Sequence, residues 1–362
     1  MRRATTLLTV LILLCALPAA TAQVRHEIHF PDLPDYRTLK CDFHTHTVFS
    51  DGAVWPTVRI DEAWRQGLDV IAITDHLEYQ PHKQDLPTGH NRSYELAAGR
   101  AREGDILPIR GAEITRDTPP GHHNAIFLSD VSSLEAEDFY AVFDEAQRQQ
   151  AFVFWNHPGW QGSERGQWGE HQAKLFEKKQ LHGIEICNGS SYYAYAHGLA
   201  LEKKLALIGN SDIHDPSLET ERTRTPTAHR TLTLVFAQER TIEALREALF
   251  AGRTAVWYQN QLIGREPELA AMFSACVRIS PPHHRTGSKV WVEIKNRCEL
   301  DIELQRVGKV GPARIVLPAR ATALARIDAP AEALSAGLPY LATNFLTGPD
   351  QPLSAKLAIP ER

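Results

Sequence analysis

The sequence predicts an α/β barrel followed by a small all-β unit. Strand-like and helix-like segments alternate from Lys40 to about Gln259. Beyond that point the helices stop, and short strands with polar turns take over. Repeated strand–helix alternation implies a parallel sheet, and this many units favour closure into a barrel.

"KCDFHTHT" reads as the first strand, and "TVRIDEAWRQGL" as a helix starting near Thr57 and ending near Gly67. "DVIAITDH" is a buried apolar strand and "SYELAAGRARE" a helix; "DILPIRGAEIT" and "HNAIFLSD" are strands. "SSLEAEDFYAVFDEAQRQQ" is a helix with Glu135 placed for a capping box after Ser132. The strands "AFVFWNHPG", "HGIEICNG" and "LALIGNSDIH" alternate with the helices "GEHQAKLFEKKQ" and "YAYAHGLALEKKL". "TLTLVFAQE" and the helix "TIEALREALFAGR" close the pattern. In the tail, "VWVEIKNRCELDIELQRV", "ARIVLPARATALARID" and "LPYLATNFL" read as a small sandwich with a structural role. The expected division is a leader over 1–22, the barrel over 23–262 and the β unit over 263–362.

The leader expectation rests on Arg2 and Arg3, an apolar run, and Ala20-Thr21-Ala22 as a small-residue cleavage site. The run is too short and too early for an ordinary internal membrane span. The reading is a secretory signal, and hence an exported, periplasmic or secreted protein with no membrane segment after cleavage. Cleavage leaves Cys41, Cys187, Cys276 and Cys298, too few for a disulfide framework in 362 residues. Cys276 and Cys298 are expected to pair in an oxidising compartment, while Cys41 and Cys187 stay free. No CxxC occurs, which argues against a thiolate zinc site. The net charge of −5 and absence of a basic block give no nucleic-acid footprint. Oligomeric state is not legible.

The chain holds 17 histidines, and their placement carries the functional reading. "DFHTHTVFSDG" brings His44, His46 and Asp51 together; a His pair alone would also serve as a strand cap. Asp75 and His76 end the second strand, Glu113 the third, and His157 the fifth. Glu185 and Asn188 mark the sixth, and Asp212 and His214 follow the seventh. His122 and His123 are the exception, because they open the fourth strand. In a β/α barrel the C-terminal strand ends converge on one face, where active sites are built. Imidazoles and carboxylates suit zinc, manganese or iron, and His-x-His on a strand puts both rings on one side. Paired cations of this kind serve phosphoryl transfer.

The order HxH…D, TDH, GAE, GH, NHP, SDxH over Lys40–Tyr258 resembles the PHP (polymerase and histidinol phosphatase) superfamily of metal-dependent phosphoesterases. The resemblance implies a distorted (β/α)7 barrel with up to three divalent transition metals. It implies that His44, His46, Glu113 and Asp212 hold the first metal. Glu113 would bridge to a second with His122 and His157, and Asp51, His76 and His214 would hold a third. Asp51 stands where some members carry His. His122 is preferred to His123 because it directly follows Gly121. The leader and β-rich tail also resemble a secreted subgroup that includes phosphodiesterases of small organophosphates.

Around this set, Asp75 is expected to orient a metal-bound His. Arg116 is the expected phosphate grip, with Arg222, Arg224 and Arg230 as rivals. Asn188 is a candidate substrate or water contact. Trp155, Trp160 and Trp168 read more readily as core than as pocket wall; Tyr192, Tyr193 and Tyr195 fit either role. The reading is an exported hydrolase of small-molecule phosphate esters, diesters above all, in which a metal-bridging hydroxide attacks phosphorus. The alternatives are a metal-dependent amide or lactone hydrolase and a non-catalytic, metal-stabilised binding protein. No barrel lysine stands between the early and late ligands, which argues against the first.

Overall fold

The computed structural model describes residues 23–217 and 229–361. The predicted leader, Arg222 and Arg224 lie outside them. Among the described residues no helix is long and apolar enough to cross a membrane.

Seven strands build the barrel: β1 (Arg37–Asp42), β2 (Val70–Ile73), β3 (Leu107–Ile114), β4 (His123–Ile126), β5 (Phe152–Trp155), β6 (Gly183–Asn188) and β8 (Ala206–Asn210). A two-residue strand, β7 (Ser191–Tyr192), turns back on β6 as a hairpin. The short strands β2, β4 and β5 are buried along their whole length, as apolar barrel strands covered on both faces must be. Helices α1 (Pro56–Arg65), α2 (Arg92–Glu103), α3 (Phe139–Arg148), α4 (Glu170–Glu177) and α5 (Ala194–Lys203) connect them.

The expected all-parallel sheet needs one correction. β4 runs antiparallel to both β3 and β5. Its N-terminal end therefore lies at the mouth where the parallel strands end. This is why His122, just before β4, reaches the same place as ligands that follow the other strands.

Closure is local. The chain past β1 meets the chain past β8 through a parallel bridge, Thr45 to Ile213, with the His46 amide donating to the Ile213 carbonyl at 3.1 Å. Below it, β1 pairs antiparallel with β9 (Leu232–Ala237), which pairs with β10 (Thr254–Tyr258). β8 packs on β10, and a Cβ on Gly209 would collide with Val256. The barrel is thus pinched shut at its mouth and wedged open beneath, which is its distortion.

The segment read as the start of α3 is a 3-10 turn, Ser132–Leu134. The helix starts later, where the Asp138 carboxylate caps the Ala141 amide at 2.8 Å, so Glu135 forms no capping box. A local capping carboxylate next to the apolar face outcompetes the more distant Ser/Glu pair.

After α6 (Ile242–Phe250), β10 turns into β11 (Gln261–Gly264) and then α7 (Glu266–Cys276), a helix the sequence reading passed over. The tail forms two sheets. One joins β12 (Val277–Ile279), β13 (His284–Thr286), β14 (Lys289–Asn296) and β17 (Thr322–Asp328). The other joins β15 (Ile302–Arg306), β16 (Arg314–Leu317), β18 (Leu338–Gly348) and β19 (Gln351–Leu357). Alternate residues of β14 are buried, the period-two signature of a sandwich face. β18 also pairs parallel with β11, at Leu262 to Phe345. One apolar cluster joins Ile60 and Trp257 of the barrel to Val292, Leu304 and Tyr340 of the tail. The tail therefore shares sheet and core with the barrel.

The expected Cys276–Cys298 bond is absent. Both are buried free thiols, and the Cys298 thiol donates to Asn296 Oδ1 at 3.0 Å.

Candidate metal centre

The mouth of the barrel gathers nine ligand-type side chains. Glu113, at the end of β3, stands in the middle. Its Oε2 lies 3.3 Å from His44 Nε2, 3.4 Å from His46 Nε2 and 2.9 Å from His76 Nδ1. Its Oε1 lies 2.9 Å from His122 Nδ1 and 3.4 Å from His157 Nε2. Asp212 Oδ1 stands 3.2 Å from His44 Nε2 and 3.1 Å from His46 Nε2. Asp51 Oδ1 faces His214 Nε2 at 3.2 Å and His76 Nε2 at 3.5 Å. Four ligand groups result: His44, His46, Glu113; His44, His157, Asp212; His76, Glu113, His122; and His46, Asp51, His76, His214.

These residues fit divalent cations on a structural test. His44 Nε2, His46 Nε2, Glu113 Oε2, Asp212 Oδ1 and Asp51 Oδ1 are all buried without a hydrogen-bond partner. Buried polar atoms are rarely left so. The first four converge at the 3.1–3.4 Å separations above. Ligand atoms about 2.0–2.2 Å from a shared tetrahedral cation stand about 3.3–3.6 Å apart. Neutral imidazole and carboxylate donors are the set that zinc, manganese and iron accept.

The groups also act on each other's charge. Burial disfavours charge on His44, but Asp212, Glu113 and Glu185 override it and raise its pKa well above the ordinary value. His76 is likewise opposed by burial, yet Glu113 and Asp51 raise it to about 10. Burial pushes the Glu113 carboxyl up, and His44 and His76 pull it well below the carboxylate range.

Two ligands sit on unusual backbone. His157 has φ of 27° and Asp212 φ of 52°, both in the left-handed region that side chains disfavour. The His157 amide is held by Glu185 Oε2 at 2.8 Å, and the Asp212 amide by the His44 carbonyl at 3.0 Å.

The supporting residues differ from expectation. Asp75 touches no metal-site ring. It accepts from the Thr47 amide at 2.7 Å and the Ser50 hydroxyl at 2.8 Å, and Ser50 Oγ in turn faces His46 Nδ1 at 3.3 Å. The direct orienting carboxylate is Glu185, which was seen in the sequence but given no role. It also accepts from the Asn188 and Asn210 amides, each at 2.9 Å. Asn156, hidden beside His157 in "NHP", donates to Glu113 Oε1 at 2.9 Å. Buried Arg59 on α1 was missed altogether. Its guanidinium donates to the His46 carbonyl at 3.0 and 3.1 Å and to the His214 carbonyl at 3.0 Å, and pairs with Glu62 at 2.5 Å. Nothing in "VRIDEAW" distinguishes it from a surface arginine.

Arg116, the expected phosphate grip, does not line the ligand cavity. It pairs with Glu78 and donates to the Ala136 carbonyl, facing a separate surface cavity with Lys83 and His90. The reason is topological: β3 ends at Ile114, and two residues later the chain has left the mouth. Arg230 donates to buried Asp42 at 3.0 Å instead of entering the cavity. His123 is turned into the apolar core beside Phe139 and Phe143, and burial pushes its imidazole down to about 3. Trp155 is core, Trp168 packs on it, and Tyr192 bonds His197 at 2.9 Å. The Tyr195 hydroxyl accepts from the Trp168 amide at 3.1 Å.

The ligands open into a cavity of about 430 Å³ lined by Asp51, His76, Glu113, His122, His157, Asp212 and His214, together with Trp160, Asn188, Ser191 and Tyr193. A distorted barrel with this ligand mouth defines a metal-dependent hydrolase. The comparisons agree. A PHP-domain profile matches residues 42–206, and an Ig-like-domain profile matches 277–358. A two-domain protein of Bacteroides vulgatus, described as containing a predicted PHP-like metal-dependent phosphoesterase, is 43% identical. Its structure superposes with a TM-score of 0.87 over 93% of this chain and 99% of its own. An uncharacterised protein of Methanocaldococcus jannaschii is 27% identical over 195 residues, 49% of this chain and 83% of its own. The chain belongs to the PHP family and is a metal-dependent phosphoric ester hydrolase.

Proposed function

We propose that the chain hydrolyses phosphodiesters of small molecules, with up to three divalent transition metals (zinc, manganese or iron) at the barrel mouth. The observation that carries this is Glu113: each carboxylate oxygen faces a different set of histidines. Cations bound there would supply Lewis acidity toward the phosphoryl oxygens and an acidified water. His44, His46, Glu113 and Asp212 would hold one cation. His122 and His157 would share Glu113 around a second, and Asp51, His76 and His214 would hold a third.

The chain's own residues set the preference for diesters. Three carboxylates face the cavity, and no described lysine or arginine lines it. A monoester dianion normally draws on such a cationic clamp. A monoanionic diester needs less compensating charge. Asn188, donating to Asp212 Oδ2 at 3.2 Å, keeps that carboxylate turned toward the histidines.

The test is turnover by metal-loaded protein of p-nitrophenyl phosphate, bis(p-nitrophenyl) phosphate and p-nitrophenyl acetate. The diester should be preferred, and chelation should abolish activity. Preference for the acetate would favour the carboxyl hydrolase, and inertness toward all three the binding protein. Export through the N-terminal leader is part of the proposal; a mature N-terminus at Gln23 would support it.

A further inference from the structure

We propose that Trp160 is a specificity residue, and that the substrate's organic substituent is aromatic or comparably flat and stacks on it. This rests on the phosphodiester reading above. Besides the metal-ligand side chains, the cavity is lined by Trp160, Asn188, Ser191 and Tyr193. A volume of about 430 Å³ falls among small-molecule sites, roughly 300–1,000 Å³, so there is room for a group beyond phosphorus.

Trp160 is 52% exposed although its ring borders the ligands, with centroids 5.5 Å from His122 and 5.6 Å from His157. It is held there by its amide, which donates to the His157 carbonyl at 3.1 Å. The wall behind it is firm. Tyr193 lies against the backbone of Gly159, where a Cβ would come within 2.8 Å of the ring. The Tyr193 amide is fixed to the Ile186 carbonyl at 2.9 Å. An indole left half open beside a phosphoryl site, with no described lysine or arginine lining the cavity, offers a face for stacking and little for a charged substituent. A methyl or ethyl group would leave it uncovered.

Two phosphonate monoesters with the same poor leaving group, methanol, test this on metal-loaded protein by calorimetry: methyl phenylphosphonate and methyl methylphosphonate. The phenyl compound should bind about tenfold more tightly, the order expected of an aromatic pair. Trp160→Ala should bring the two affinities together, and Trp160→Phe should keep most of the difference. Tyr79 is an exposed aromatic 6.0 Å from His76 that does not line the cavity. Tyr79→Ala should leave the difference intact. Metal content of each variant checks that its site still forms. Equal binding by the native protein, binding of neither compound, or a preference that survives Trp160→Ala overturns the proposal. Turnover of bis(p-nitrophenyl) phosphate is read separately. Its absence alongside selective phosphonate binding would sink the hydrolytic reading and leave the stacking wall standing.

Discussion

Glu185 Oε1 stands 3.1 Å from His44 Nδ1, while His44 Nε2 points the other way, at Glu113 and Asp212. The carboxylate therefore fixes which imidazole nitrogen is free to ligate. Its other oxygen holds the strained backbone of His157. One fully buried residue thus aims two ligands from different strands. Glu185→Gln should lower metal affinity or turnover by about 10- to 100-fold, the usual cost of losing an outer partner. Native metal content and turnover in that variant would show that the packing alone orients His44.

Glu113→Gln keeps shape and removes the charge shared by both halves of the ligand set. It should lose metal and drop turnover more than a hundredfold, beyond the effect expected of outer partners such as Glu185. Metal analysis and kinetics of the purified variant decide it. Full occupancy with near-native turnover would require the ligand map to be redrawn.

Arg59 is buried and ties the backbones of His46 and His214, which lie far apart in sequence. Arg59→Met leaves Glu62 buried without its cation. A loss of about 3–5 kcal/mol in urea unfolding is expected, the range for breaking a buried pair. Metal content should fall with it. A variant of native stability would show that the loop carbonyls need no such tie.

His182, at the opposite end of the barrel from the ligands, sits 5.5 Å from Phe152 and 4.7 Å from Phe250, centroid to centroid. Burial pushes its pKa down to about 4, and Arg246 adds to this. Unfolded, a histidine titrates near 6.5. Between these values the unfolded chain binds a proton that the native chain refuses, so stability is full above pH 6.5 and falls as pH drops toward 4. For chelated protein, His182→Asn should flatten the stability–pH slope in that window by up to about 1.4 kcal/mol per pH unit. An unchanged slope would place the acid sensitivity elsewhere.

Cys41, Cys187, Cys276 and Cys298 are all buried and free, and burial raises the Cys41, Cys187 and Cys276 thiols well above the ordinary range. They should resist alkylation in the native protein. All four should react after unfolding without reductant. Mass mapping that finds Cys276 and Cys298 protected in unfolded, unreduced protein would restore the disulfide.

The sequence by itself determined the barrel, the β-rich tail and the ligand types, because strand ends and unusual polar residues coincide along the chain. His44, His46 and Asp51 are legible for that reason, being close neighbours in one segment. Only the tertiary structure decided what reaches the mouth. His122 enters because β4 runs backwards, and Arg116 departs because β3 has already ended. Glu185, Asn156 and Arg59 gain their roles from contacts that no local spacing encodes: Glu185 meets His44 across 141 residues. A ligand's chemistry belongs to its side chain and can be read one residue at a time. The partner that orients it is fixed by strand direction and register, and those are settled only when the sheet closes.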